Sequence, residues 1–465
     1  MNDNKIKQPL YIVALTAVML IALSFVKIEY LIPQINFTIR TVDVLIDIKN
    51  IQVEQPAINN LYTHPRFNFA SMNFLTNFFE GEKENSSSPA ALELQGKKTP
   101  LTGDLKQLNY FFEAVKLAKQ KSIRVAHFGD SAIEGDLVTA DIREILQTKM
   151  GGNGAGWLGI VSQDISFRST TKHSFSQGNW ESASLYTSNP KGLPLGISGE
   201  ANIPKGNDAW VQYETTPLRR YLRDFSTVKL YYTNAKPSSI SYSFDGSAPQ
   251  TAALTPGGSL QELVLKPKGK ARSVKITFPV ADQALVFGVS LENEPGVYVD
   301  NFPLRGNSGV DLLNISPALL KDFAKYMDYK LIILEFGLNI AGNKADYSWY
   351  EREMIKVVNN FKTVFPKASI ILVSIHDKST KKGSDFVTDP TILRLLDSQK
   401  NIARTTSIAF WSLFEAMGGA NSMPNWVNAV PPLAFKDYIH FNDQGAKKVS
   451  QLFTDALLDE YSKAN

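Results

Sequence analysis

The side chains best placed for chemistry are a serine and, far downstream, a histidine with an aspartate. Ser131 lies in Ala126 to Gly135, Ala-His-Phe-Gly-Asp-Ser-Ala-Ile-Glu-Gly. The apolar run Ile123 to Phe128 reads as a strand, Gly129-Asp130 breaks it, and a helix-like pattern starts near Ile133. A serine at such a turn sets its hydroxyl at the carboxyl end of a strand and its amide at a helix N-terminus, where N–H groups lack partners. Helix capping by Asp130 or Ser131 is the competing role, since both types are preferred caps. A serine nucleophile needs a base and a group to orient that base. Asp437 and His440, three apart before the last helix, can supply both when one turn points them the same way.

Acyl transfer also needs donors for an oxyanion. The Ser131 amide is one candidate. Gly306-Asn307-Ser308-Gly309 occupies a later loop, and Gly337-Leu338-Asn339 follows an apolar strand. A glycine in the first of these loops lets the backbone approach a ligand closely, and Asn339 offers a side-chain N–H. Alone, each is an ordinary turn residue. The glycine-rich run 151–159 lacks the Gly-Lys-Ser/Thr ending of a phosphate loop, so no nucleotide cofactor is expected. Trp157 within it is a candidate sugar-stacking side chain.

Composition limits the alternatives. The 465 residues include no cysteine, which excludes disulfides, a thiol nucleophile and thiolate metal sites. The five histidines form no close pair at metal-ligand spacing, so neither metal nor cofactor is expected. A net charge of +4 without basic clusters interleaved with aromatics gives no argument for nucleic acid.

The elements that must position these residues fall into two textures. Apolar strands alternate with helices over 101–160 and 301–465, with strands at Leu331 to Phe336, Ser369 to Ile375 and Ile408 to Trp411. Such alternation argues for a parallel sheet covered on both faces. Helices are expected over Asp104 to Lys121, Ile133 to Lys149, Asp311 to Met327, Asp346 to Phe365, Pro390 to Arg404 and Asn442 to Tyr461. Between the two segments, 161–300 carries short alternating runs and Gly/Pro turns, the pattern of a β-sandwich. Neither flank completes an α/β domain alone, so the sandwich is expected as an insertion in a split domain. Its aromatics read as core.

Residues 1–9 are polar, and Leu10 to Val26 is 17 residues without charge. That length suits a short membrane-spanning signal anchor, with the tail in the cytoplasm and the rest exported. Cleavage near Ala22-Leu23-Ser24 is the alternative, and it also exports the chain. Residues 27–100, with their polar stretch 81–100, read as a spacer or linker.

Gly129-Asp130-Ser131, Gly309, Gly337-Leu338-Asn339 and Asp437-Tyr438-Ile439-His440, in this order, resemble the four blocks of the SGNH (GDSL-like) serine hydrolases. The likeness covers the two α/β segments. It implies a flavodoxin-like parallel sheet, with Ser131 as nucleophile, His440 as base, Asp437 as its orienter, and Ser131, Gly309 and Asn339 as the oxyanion hole. Ile340 departs from the polar residue that often follows the third-block asparagine. The inserted sandwich looks like the carbohydrate-binding-module-like domain of peptidoglycan O-acetylesterases. The resemblance therefore implies an extracytoplasmic, periplasmic esterase that removes O-acetyl groups from a cell-wall polysaccharide, peptidoglycan first. An O-acetyltransferase working with a membrane-bound acyltransferase and a non-catalytic wall-binding protein are the alternatives.

Overall fold

The structure is a computed structural model that describes residues 96–464, apart from 163–167, 188, 206–207, 279–283, 294 and 343–345. The expected tail, anchor and nearly all of the spacer lie outside the described residues. No described helix is long and apolar enough to cross a membrane.

The chain enters through the short strand β1 (Thr102–Gly103) and helix α1 (Asn109–Val115). β2 (Ile123–Gly129) leads into a 3-10 turn over Ser131–Asp136 and helix α2 (Thr139–Met150). β3 (Gly156–Leu158) then opens a run of antiparallel strands: β4 (Thr171–Phe175), β5 (Trp180–Ser184), β6 (Glu200–Pro204), β7 (Ala209–Thr215), β8 (Thr227–Thr233), β9 (Ser238–Phe244), β10 (Gln250–Leu254), β11 (Gln261–Leu265), β12 (Ser273–Phe278) and β13 (Leu285–Glu292). β14 (Val297–Pro303) returns to the α/β part. There follow α3 (Pro317–Tyr326), β15 (Tyr329–Glu335), α4 (Ser348–Val364), β16 (Ser369–Val373), the hairpin β17 (Ser379–Lys382) and β18 (Asp385–Thr388), α5 (Ile392–Thr406), β19 (Ala409–Trp411), α6 (Leu413–Met417), α7 (Ser422–Val427) and α8 (Asp443–Ala464).

The main sheet has the order β1-β19-β16-β15-β2-β14. Its last five strands run parallel, and β1 joins the edge antiparallel. By first appearance these parallel strands are ordered 2-1-3-4-5, the doubly wound flavodoxin-like arrangement. β2 and β16 are buried along their whole length and β15 at every residue but Lys330, so their side chains alternate between two cores. Val125, Leu331 and Ile333 face the layer of α1, α2 and α8, whereas Phe128, Ile332 and Leu334 face α3, α4 and α5. Burying apolar surface on both faces at about 25 cal/mol per Å2 is what holds the sheet in the middle. It leaves only the strand ends for chemistry. In this order the connections diverge between β2 and β15, and a crevice opens at their carboxyl ends.

Two antiparallel sheets pack on each other beside this layer. One has the order β10-β9-β12-β7-β4 and the other β11-β8-β13-β6-β5, with β3 on β13. Val211, Ile240 and Ile276 meet Leu230, Tyr232 and Val289 between them. The second sheet is also covered on its far side. Its Tyr231 and Phe287 pack against Phe323 of α3, at ring centroid distances of 6.2 and 5.4 Å. Buried charges join the layers as well. Arg124 on β2 donates to Asp300 on β14 through both Nε and Nη2, in three contacts, and also pairs with Glu292 on β13.

Several expected boundaries move. β14 starts at Val297 and belongs to the parallel sheet, while β3, placed by sequence with the α/β segment, pairs with β13. The helix expected from Ile133 splits, because Gly135 and Asp136 at the end of the 3-10 turn and Val138 just before α2 all adopt positive φ. The helix expected from Asp311 splits at Ser316, where Pro317 starts α3 afresh. The helix expected over Asp104 to Lys121 is helical in its middle only, and the β17–β18 hairpin had no sequence counterpart.

Candidate active site

Ser131 follows β2 directly. Asp130 caps its turn, with one carboxylate oxygen accepting the Ala132 N–H at 3.0 Å. The other oxygen accepts the Gly337 and Leu338 amides at 3.2 and 3.1 Å. One buried carboxylate thus ties the nucleophile turn to the loop after β15 that carries Asn339. Burial pushes its pKa up to about 6, even though the amide hydrogen bonds favour the charged form. The sequence raised Asp130 only as a cap; its reach across two strands is tertiary.

Asp437 and His440 sit in the loop before α8. Asp437 Oδ1 accepts the Ile439 and His440 amides at 2.9 and 3.0 Å, a tight turn that Tyr438 permits at φ 59°. Oδ2 lies 2.7 Å from His440 Nδ1. Burial opposes charge on Asp437, but its hydrogen bonds with His440 prevail and hold the carboxyl below the usual range. An ionised carboxylate only accepts, so Nδ1 carries the proton and Nε2 presents its lone pair. Nε2 lies 3.0 Å from Ser131 Oγ. The three predicted residues are therefore brought together in the order that lets Ser131 lose a proton to His440.

The candidate oxyanion donors differ in the partners they already hold. The Gly309 amide donates to Asn307 Oδ1 at 2.8 Å, and a side chain at Gly309 would strike Phe336. That N–H has an acceptor within its own loop, which an oxyanion would have to displace. Gly306 is the glycine that faces open space. It is the third residue of the turn closed by Asn307 N–H to Leu304 O (3.0 Å), at φ 76°, with nothing within 4 Å of where a Cβ would stand. Leu304 N–H in turn reaches Gly129 O at 2.7 Å, which sets this loop against the end of β2. Asn339 Nδ2 donates one hydrogen to Asn307 O at 2.8 Å, and its second hydrogen remains available.

Trp157 also needs correcting as an open stacking platform. It is 2% exposed, stacked on Tyr231 and edge-on to Phe302 and Phe323. Both ring faces belong to the core.

Sequence reasoning missed the support around the catalytic loop. His376 Nε2 donates to Ile439 O at 2.8 Å, and its ring packs 4.4 Å from Phe441. Burial lowers its pKa to about 4, so it stays neutral while it braces the loop. Ser379 N–H donates to Tyr438 O at 3.0 Å, and Phe386 stacks on Tyr438 at 3.7 Å. The available signal was position, because His376 directly follows a strand on the end that carries Ser131 and Asn339. Among the described residues no group of three or more His, Asp or Glu is placed to hold a metal ion.

A peptidoglycan O-acetylesterase of known structure superposes with a TM-score of 0.64 at 21% identity, over 78% of this chain and 99% of its own. Two further likenesses are an acetyl xylan esterase (TM-score 0.28, 17% identity, 34% of this chain and 81% of that one) and a family two carbohydrate esterase from Cellvibrio japonicus (TM-score 0.25, 11% identity, 64% and 99%). The fold likeness rests on the first of these. It shows that the two chains share a fold. No protein-family profile matches the sequence. No curated protein matches it either.

Proposed function

We propose that this protein is an exported serine esterase that removes O-acetyl groups from a cell-wall polysaccharide, peptidoglycan first. The observation that carries this is the chain of contacts Ser131–His440–Asp437, at 3.0 and 2.7 Å, at the carboxyl end of a flavodoxin-like sheet. Ser131 Oγ attacks the acetyl carbonyl while His440 Nε2 takes its proton. The oxyanion meets the Ser131 amide, the second Asn339 Nδ2 hydrogen and the Gly306 amide. Collapse expels the sugar hydroxyl, which takes the proton from His440, and leaves acetyl-Ser131. Water, deprotonated by His440, then releases acetate. The likeness to a peptidoglycan O-acetylesterase supports the choice of substrate. The uncharged run Leu10 to Val26 supports export and tethering at the cytoplasmic membrane.

The test is acetate release from O-acetylated peptidoglycan. The wild-type protein should release acetate, and Ser131→Ala should lose about four orders of magnitude or more in rate. Equal release by the two proteins would overturn the reading.

A further inference from the structure

A cavity of about 470 Å3, counted with its open mouth, lies beside the nucleophile turn. Glu134 from the Ser131–Asp136 turn forms one wall, and Asn301 and Arg305 from the end of β14 form the next. The antiparallel sheets add Trp157, Ser198 and Glu200. The cavity thus adjoins both the turn that holds Ser131 and the loop that holds Gly306.

Its charges are matched internally. Arg305 pairs with Glu134 at 2.8 Å, Arg168 lies 3.4 Å from Asp136, and the Tyr186 hydroxyl donates to Glu200. Arg168 Nη2 is ion-paired with Asp136, whereas three residues of the lining carry a neutral polar atom with no hydrogen-bond partner: Trp157 Nε1, Ser198 Oγ and Asn301 Oδ1. Their residues are 2%, 7% and 3% exposed. Asn301 cannot turn its amide around. Its Nδ2 donates to Ile133 O at 3.0 Å and Thr139 Oγ1 at 2.7 Å, which fixes Oδ1 as an acceptor. The lining therefore offers one N–H that only donates, one oxygen that only accepts, and one hydroxyl that can do either. Buried groups of this kind demand partners.

A secondary amide is the complement. Its carbonyl accepts from Trp157 Nε1, its N–H donates to Asn301 Oδ1, and Ser198 serves the carbonyl's second lone pair. A carboxylate would set another acceptor against Asn301 Oδ1, and an ammonium would leave Trp157 Nε1 without an acceptor. We propose that this cavity is a subsite for the acetamido group of an N-acetylated sugar residue, seated next to the ester at Ser131. The proposal rests on the esterase reading for the presence of a glycan at this edge. It assigns Trp157 a role through its ring nitrogen, where sequence suggested ring stacking.

The test is binding without turnover. The full chain carrying Ser131→Ala is titrated by calorimetry with N-acetylglucosamine oligomers, with matched glucose oligomers, and with de-N-acetylated glucosamine oligomers. The N-acetylated oligomer should bind at least about tenfold tighter than either of the others. Trp157→Phe and, separately, Ser198→Val in the same background should reduce that preference to less than about threefold. Ser198→Val sits on a turn, so it keeps the test alive should Trp157→Phe fail to fold. Equal affinity for the three oligomers, or a preference that survives in folded variants, overturns the subsite. Loss of acetate release from every acetylated glycan would overturn the esterase reading instead, and the calorimetry does not depend on it.

Discussion

The two halves of the proposed catalytic site are held in different ways. The nucleophile side is fixed from inside the protein. Ser131 follows a strand buried along its whole length, and the buried Asp130 carboxylate gathers three amides from two loops. The acid–base side is half exposed, with His440 and Asp437 side chains 35% and 29% accessible. It is propped from outside by His376, Ser379 and Phe386, residues that flank or form the β17–β18 hairpin. Disturbing the first side should cost both fold and rate. Disturbing the props should cost rate while leaving most of the fold intact.

The largest expected effect lies where the two sides meet. Asp437→Asn removes the charge that keeps the proton on His440 Nδ1, and kcat should fall by about two to four orders of magnitude in steady-state assays. A loss below tenfold would mean that the loop geometry alone orients the histidine. Asp130→Asn comes next. An asparagine keeps one acceptor oxygen, so either the Ala132 amide or the pair at Gly337 and Leu338 would face an NH2 group. Displacing Ser131 or Asn339 by about 1 Å should lower kcat by roughly ten- to a hundredfold. The melting temperature should change with it.

The smallest effect tests the props. His376→Phe keeps the packing on Phe441 but loses the bond to Ile439 O. It should lower kcat roughly three- to tenfold with KM little changed. Its clearest signature is in stability against pH. Between about pH 4 and 6.5 the unfolded chain protonates its histidine while native His376 stays neutral, so His376 makes the protein less stable as pH falls through that window. Asp130 acts oppositely. Native Asp130 keeps its proton up to about pH 6 whereas the unfolded carboxyl loses it near 3.8, so its contribution falls as pH rises. Each amounts to about 3 kcal/mol. Thermal melts from pH 4 to 6 should therefore tilt in opposite directions. Relative to wild type, His376→Phe should lose stability as pH rises and Asp130→Asn should gain it. Parallel slopes would end the contrast.

This division also explains what the sequence revealed. The juxtaposition of Ser131, His440 and Asp437 was legible because the proposed roles of nucleophile, base and orienter need particular residue types at strand and helix ends. The choice between Gly306 and Gly309 was not legible, because spacing cannot tell that the Asn307 side chain claims one amide and leaves the other. Trp157 misled for a similar reason, since its cover, Tyr231, Phe302 and Phe323, comes from distant segments. His376 and the hairpin act through packing across the sheet edge, which no local pattern records.

The pairing of β2 with β14 carries a kinetic consequence. These strands are hydrogen-bonded neighbours, yet the whole of 130–296 lies between them in the chain. Closing so long a loop costs entropy before any contact repays it, and such distant pairings slow folding. The antiparallel sheets, whose partners are nearer in sequence, are expected to form first and bring the two edges together. The turn that carries Ser131 would then be among the last parts of the molecule to mature.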